Sequence, residues 1–119
     1  MTDAPLRRLV LVGPMSGLPD FNYPTFDRAQ EALERAGYRV WSPTIVGRKI
    51  GFDQPAAAYL RLSIAQVFKA QGVAFLPEST SPGSAAEIAV ARGIGIPVVA
   101  LHEWIRWARE GDARARVGS

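Results

Sequence analysis

Leu9-Val10-Leu11-Val12-Gly13-Pro14 decides how the rest of the chain is read. Its apolar run has no polar face, so it reads as a strand buried on both sides, the kind found in a parallel sheet covered by helices. Gly13-Pro14 stops the run and opens a turn-rich stretch that lasts to Asp20. Working outward, the same grammar repeats. Pro24 suits the first turn of a helix, and Phe26, Ala29, Leu33 and Ala36 recur at helical spacing before Gly37 stops it. Tyr38-Arg39-Val40-Trp41 reads as a second strand, closed by Ser42-Pro43. Residues 44–54 read as a loop carrying Gly47, Arg48, Lys49 and Gly51.

Beyond it, Pro55 opens a second helix whose apolar stripe is Leu60, Ile64, Val67 and Phe68, expected to end near Gly72. Val73-Ala74-Phe75-Leu76 is a third buried strand, followed by a loop from Pro77 to Gly83. A third helix is expected from about Ser84 to Arg92, and a fourth strand over Ile96–Leu101. A last helix carries Trp104, Ile105 and Trp107. Strands alternating with helices give an α/β single domain: a flavodoxin- or Rossmann-like parallel sheet of four to five strands with helices on both faces. The domain is expected to span residues 1–119, with about 1–7 and 111–119 as mobile tails.

Composition agrees. The 119 residues are 48% hydrophobic and 21% charged, which fits one folded domain and excludes disorder. The absence of cysteine excludes disulfides, thiolate zinc sites and cysteine nucleophiles. A single histidine excludes a histidine-rich metal cage, although a Ser-His-Asp triad survives on count. The net charge of +3 comes from arginines, several near the ends: Arg7, Arg8, Arg106, Arg109, Arg114 and Arg116. They read as solubility or weak anion attraction. No segment carries a base-reading motif or a basic stripe interleaved with aromatics, so nucleic acid is not an expected partner. Arg7-Arg8 before an apolar run mimics a signal peptide, but the run stops at Gly13 and is too short. No stretch approaches a membrane span. A cytoplasmic protein without membrane partners is expected.

In parallel sheets ligands sit beyond the carboxyl ends of the strands, where the strand order reverses. The informative loops are therefore Gly13–Asp20, the one after Trp41, Pro77–Gly83, and the turn at His102. In the first, Gly13 and Gly17 flank Pro14, Met15 and Ser16, and glycines let backbone amides approach a phosphate or sugar. The spacing matches neither G-x-G-x-x-G nor a Walker loop, and a simple turn explains it equally well. In the third, Ser81-Pro82-Gly83-Ser84-Ala85-Ala86-Glu87 joins a hydroxyl-rich turn to a helix N-terminus, which favours anions. Glu87 is expected to be ionised at neutral pH. Beside a sugar, such a carboxylate can attack an anomeric carbon or steady an oxocarbenium ion. The competing reading is local: Ser84-x-x-Glu87 fits a capping box, in which Glu87 only serves its own helix start. Tyr59 and Ser63 on the second helix, Asp20 and Asn22 after the first loop, and the cations Arg48, Lys49 and Arg61 are lesser candidates. His102 reads as a surface or cap residue, and Trp104 and Trp107 as core or interface.

Taken together, Gly13-Pro14-Met15-Ser16-Gly17, Asn22-Tyr23-Pro24, Ser81-Pro82-Gly83-Ser84-Ala85-Ala86-Glu87-Ile88-Ala89 and Gly95-Ile96-Pro97-Val98 resemble the nucleoside 2-deoxyribosyltransferase superfamily. The small phage and bacterial branch is nearest, and nucleoside 5′-monophosphate N-glycosidases are relatives. The resemblance runs from about Leu9 to Trp104. It implies cleavage of an N-glycosidic bond with Glu87 as nucleophile. It also implies substrate contacts from Gly13 to Gly17, a 5′-phosphate held at Ser81 and Gly83 beside Ser84, no metal or other cofactor, and a homodimer or larger homo-oligomer. Three residues depart from the pattern, the first being Ser16, which stands where the family carries a phosphate-gripping arginine. Where the family carries a tyrosine this chain has Val10, and where it carries an aspartate, in Tyr59-Leu60-Arg61-Leu62-Ser63, it has Ser63. A serine is no general acid near neutral pH. The alternative is a catalytically weak or silent module that binds a nucleotide. A phosphoribohydrolase, whose family also joins a proline-glycine turn to a helical glutamate, is a third reading.

Overall fold

A computed structural model describes residues 4–15, 17–51, 54–77 and 82–118. The strands are β1 (Arg8–Val12), β2 (Arg39–Trp41), β3 (Gly72–Phe75) and β4 (Val98–Ala100). The helices are α1 (Tyr23–Arg35), α2 (Thr44–Ile50), α3 (Ala56–Val67), α4 (Pro82–Gly93) and α5 (Leu101–Arg109). The four strands pair in the order β2-β1-β3-β4, and every pairing is parallel.

The unbroken apolar run of β1 has the cause expected of it. Leu9 and Leu11 enter one core with Phe26, Leu33 and Trp104, on the side of α1 and α5. Val10 and Val12 enter the other with Val67, Val73 and Ala91, on the side of α3 and α4. Side chains alternate across a strand, so a strand covered on both sides needs apolar residues at every position. Trp104 locks the first layer. It is fully buried, its indole N–H donates to the Val73 carbonyl at 2.9 Å, and its own carbonyl accepts the Tyr38 hydroxyl at 2.5 Å. A Cβ on Gly72 would stand 2.6 Å from the Trp104 ring, so the strand must carry glycine there. Trp104 and Trp107 are thus core residues, and His102 is an exposed residue near the start of α5.

Three expectations are corrected. Residues 44–50 are the helix α2 rather than loop. Seven residues are too few to show a helical period, and α2 holds its shape by burying Thr44, Val46 and Gly47. The helix α3 ends at Val67, well before Gly72. The helix α4 begins at Pro82, two residues ahead of Ser84. Where they are described, the two chain ends lie against each other. The Arg7 amide donates to the Ala115 carbonyl at 2.9 Å, and the Val117 amide to Pro5 at 3.0 Å. Leu6 and Arg116 form an antiparallel bridge, and a single helical turn over Ala113–Ala115 buries Ala115.

Candidate functional site

The chain leaves β1 toward β2 on one side, while β3 lies on the other, so the strand order reverses between β1 and β3. That is where a parallel sheet opens a crevice at its carboxyl end. The two exits are packed tightly together. The Leu76 amide donates to the Val12 carbonyl at 2.8 Å. A Cβ on Gly13 would fall 2.7 Å from Leu76 Cδ1 and 3.1 Å from its Cβ. Gly13 is therefore required by the close approach of the β1 and β3 exits.

Beyond Gly13, Pro14 and Met15 are half-buried and Gly17 is exposed in the left-handed region, with φ +80°. Asp20, Phe21 and Asn22 follow, all left-handed, with φ of 51°, 53° and 62°. Such a run costs roughly 1–2 kcal/mol per residue. Asn22 helps to hold it, its side-chain amide donating to the Pro14 carbonyl at 3.0 Å. Asn22 therefore clasps the first loop shut on itself. The sequence signal for this was its type alone, since asparagine tolerates left-handed backbone. Asp20 is exposed beside it.

The exit of β2 is polar and closed. Ser42 and Thr44 are fully buried and share a hydrogen bond of 3.1 Å. Arg48 donates to Thr44 Oγ1 at 3.3 Å, pairs with Asp27 at 2.9 Å and lies 5.4 Å from the Tyr23 ring centre. Tyr59 donates its hydroxyl to the Gly51 carbonyl at 2.5 Å and accepts the Gln54 amide at 3.2 Å. The Tyr59 hydroxyl expected at substrate is thus engaged in fastening the loop ahead of α3. One turn later Ser63 is buried, at 4% exposure, on the helix that packs against α4.

Ser81 and Ser16 lie outside the described residues. Gly83 and Ser84 stand in the first turn of α4, Ser84 buried and Gly83 with open space where a side chain would be. Because α4 starts at Pro82, Ser84 is inside the helix and not at its cap. The capping box therefore fails: its serine must precede the first helical residue. Glu87 sits in the second turn, only partly exposed. No ion pair or hydrogen bond to its carboxylate is found among the described residues. Burial alone pushes its pKa up from 4.5 to about 7. The expectation of a fully ionised Glu87 at neutral pH is corrected accordingly: the carboxyl is poised between its two forms. Val10, at 1% exposure, lies in the apolar layer beneath α3 and α4 and offers no polar group on that face.

Among the described residues there is no cluster of metal-binding side chains, and no helix is long and apolar enough to cross a membrane. Two shallow depressions lie on the α1 and α5 side of the sheet, away from Glu87, and both are lined by Ile105 and Arg109.

With the crevice in place, the comparison with known families decides the grouping. A family model described as a domain of unknown function (DUF4406) matches residues 7–100. The chain belongs to the DUF4406 family. The match runs from just ahead of β1 to the end of β4, so it takes in the exits of β1 and β3, the clasped first loop and Glu87. The description of DUF4406 names no activity, and no curated protein matches the chain.

Proposed function

We propose that this chain cleaves the N-glycosidic bond of a nucleoside or nucleoside 5′-monophosphate, by hydrolysis or transfer, with Glu87 as nucleophile. One observation carries the reading: a desolvated carboxyl, with pKa about 7 and no local structural duty, on the helix that follows the exit of β3. Buried acids without partners are costly, and such groups concentrate at sites of chemistry. In the reaction a Glu87 oxygen would bond to the anomeric carbon as the carbon–nitrogen bond breaks. The base would leave with the electron pair and take a proton from solvent water, and water or a second base would then release the sugar from Glu87. The glycine loop at Gly13–Gly17 and the start of α4 at Gly83 and Ser84 would hold the sugar and its phosphate through backbone amides. No metal or cofactor takes part in this scheme.

A second reading has its own support. Val10 is deep in the apolar layer and Ser63 is a buried hydroxyl, so neither supplies a general acid. With Glu87 alone, the same crevice would bind a nucleotide without turning it over. Free-base release separates the two. The protein, with Glu87→Gln alongside, is incubated with ribo- and deoxyribonucleosides and their 5′-monophosphates. Base release abolished in the variant supports the glycosidase. No release, with a nucleotide still raising the melting temperature, supports the binding module. We also infer a cytoplasmic homodimer. Leu62 on α3, 43% exposed, offers an apolar contact to a second copy, and sedimentation velocity tests that arm.

A further inference from the structure

All four strands are parallel, so all four segments leading into them meet at one end of the sheet, opposite the crevice. That end gathers cations widely separated in sequence. Arg8 opens β1 and Arg39 opens β2, and the two are paired in register, which sets their backbones about 5 Å apart. They alternate with Leu9 and Val40, so both point toward the side of Val10 and Trp41, the side of α3. Phe68 and Lys69 follow α3 in the turn that leads to β3. This turn is held against β1: the Gln71 amide donates to the Arg8 carbonyl at 2.8 Å, and the Arg8 amide to Gln71 Oε1 at 2.8 Å. Arg92 stands near the end of α4, ahead of β4.

The side chains of Arg8, Arg39, Lys69 and Arg92 make no ion pair or hydrogen bond with any described residue. No acid occurs in residues 5–12, 36–41, 66–76 or 91–101. Among the described residues, Glu31 pairs with Arg35, Glu110 with Arg106 and Asp112 with Arg114, while Glu34 makes no such pair. At the same end, next to Lys69 in the turn after α3, stands Phe68, 62% exposed, more than any other large apolar side chain described. An aromatic ring held open to solvent at an end that carries unpaired guanidinium and ammonium groups suits a strand whose phosphates are charged and whose bases are free to stack. An acidic peptide would use the charges and leave the ring unexplained. No single segment of the sequence carries this pattern; the parallel sheet assembles it.

We propose that this end of the sheet binds single-stranded nucleic acid, with Arg8, Arg39 and Lys69 on phosphates and a base stacked on Phe68. The surface is separate from the crevice and does not depend on the reading of Glu87. The probe is a fluorescein-labelled twenty-nucleotide oligodeoxythymidylate, followed by anisotropy at 50 and 200 mM salt. Contacts to three or four phosphates should weaken binding about 20- to 50-fold between these salts. Arg8→Gln with Arg39→Gln should flatten the log–log salt slope by about 1.4. Phe68→Ala should cost roughly five- to 150-fold and leave the slope unchanged. Melting temperatures of the variants, all altered at surface positions, confirm that they are folded. No binding at 50 mM salt, equal affinity of Phe68→Ala and the parent, or equally tight binding of the corresponding duplex would overturn the proposal. So would a dimer in sedimentation velocity that Phe68→Ala dissociates, which would make Phe68 a self-association contact.

Discussion

Glu87→Gln removes a charge while keeping the shape of the side chain, and its effect on stability has a sign fixed by the structure. In the unfolded chain the carboxyl titrates near 4.5, and in the fold near 7. As pH rises between these values the unfolded state gives up its proton first, so ionisation favours unfolding. Below 4.5 both states are protonated and Glu87 costs nothing through its charge. Above 7 the whole penalty is present, about 3 kcal/mol, since each tenfold change in proton affinity is worth about 1.36 kcal/mol. Partial exposure makes that an upper value, because water reaching the carboxylate lowers the cost. Glutamine escapes it at every pH. The assay is thermal melting of parent and variant from pH 4 to pH 8.5, taken as a difference so that all other titrating groups cancel. The variant should gain nothing at pH 4 relative to its baseline there. It should pull ahead through the window from 4.5 to 7 and level off above. Near 4 °C per kcal/mol for a domain of this size, the plateau gain is roughly 10 °C or less. A difference flat with pH would refute the desolvated carboxyl. A variant less stable at pH 8 would show that the carboxylate is bonded and stabilising, and would remove the ground for giving it a chemical role.

Four further outcomes follow from the same geometry. If Glu87 attacks as the anion, kcat/KM for base release should rise with pH and level off with an apparent pKa of about 7. Gly13→Ala sets a Cβ 2.7 Å from a carbon of the buried Leu76 and should cost about 1–3 kcal/mol in chemical denaturation. Trp104→Phe removes the indole bond to the Val73 carbonyl, 2.9 Å long, and leaves a void in the core, for a loss of about 2–3 kcal/mol. Ending the chain at Asp112 removes the bonds joining Ala115 to Arg7 and Val117 to Pro5, and should cost about 2 kcal/mol.

The architecture was legible because its signals are local. Each buried strand is a short apolar run, and α1 carries Pro24 in its first turn and buries Phe26, Ala29 and Leu33 at helical spacing, whereas the stripe expected on α3 buries Val67 and leaves Phe68 exposed. What failed was also local in cause. The helix α2 is too short to show a period and is stabilised by partners on α1 and α3. The start of α4 lay two residues earlier than a serine preceding a glutamate suggested. That small displacement carries weight, because it removes the capping role of Glu87.

Strand runs, turn residues and their alternation with helices came from the sequence alone, because hydrophobic period and backbone stereochemistry are properties of neighbouring residues. So did the candidacy of Glu87 and of the loop at Gly13. Only the tertiary structure decided that Gly13 is wedged against Leu76, that the Tyr59 hydroxyl is spent on the loop before α3, and that Glu87 is desolvated with no partner among the described residues. Only the fold sewed the two ends of the chain together and brought Arg8, Arg39, Lys69 and Phe68 to one end of the sheet. Burial, dielectric and charge proximity depend on residues far apart in the chain, and no local pattern encodes them.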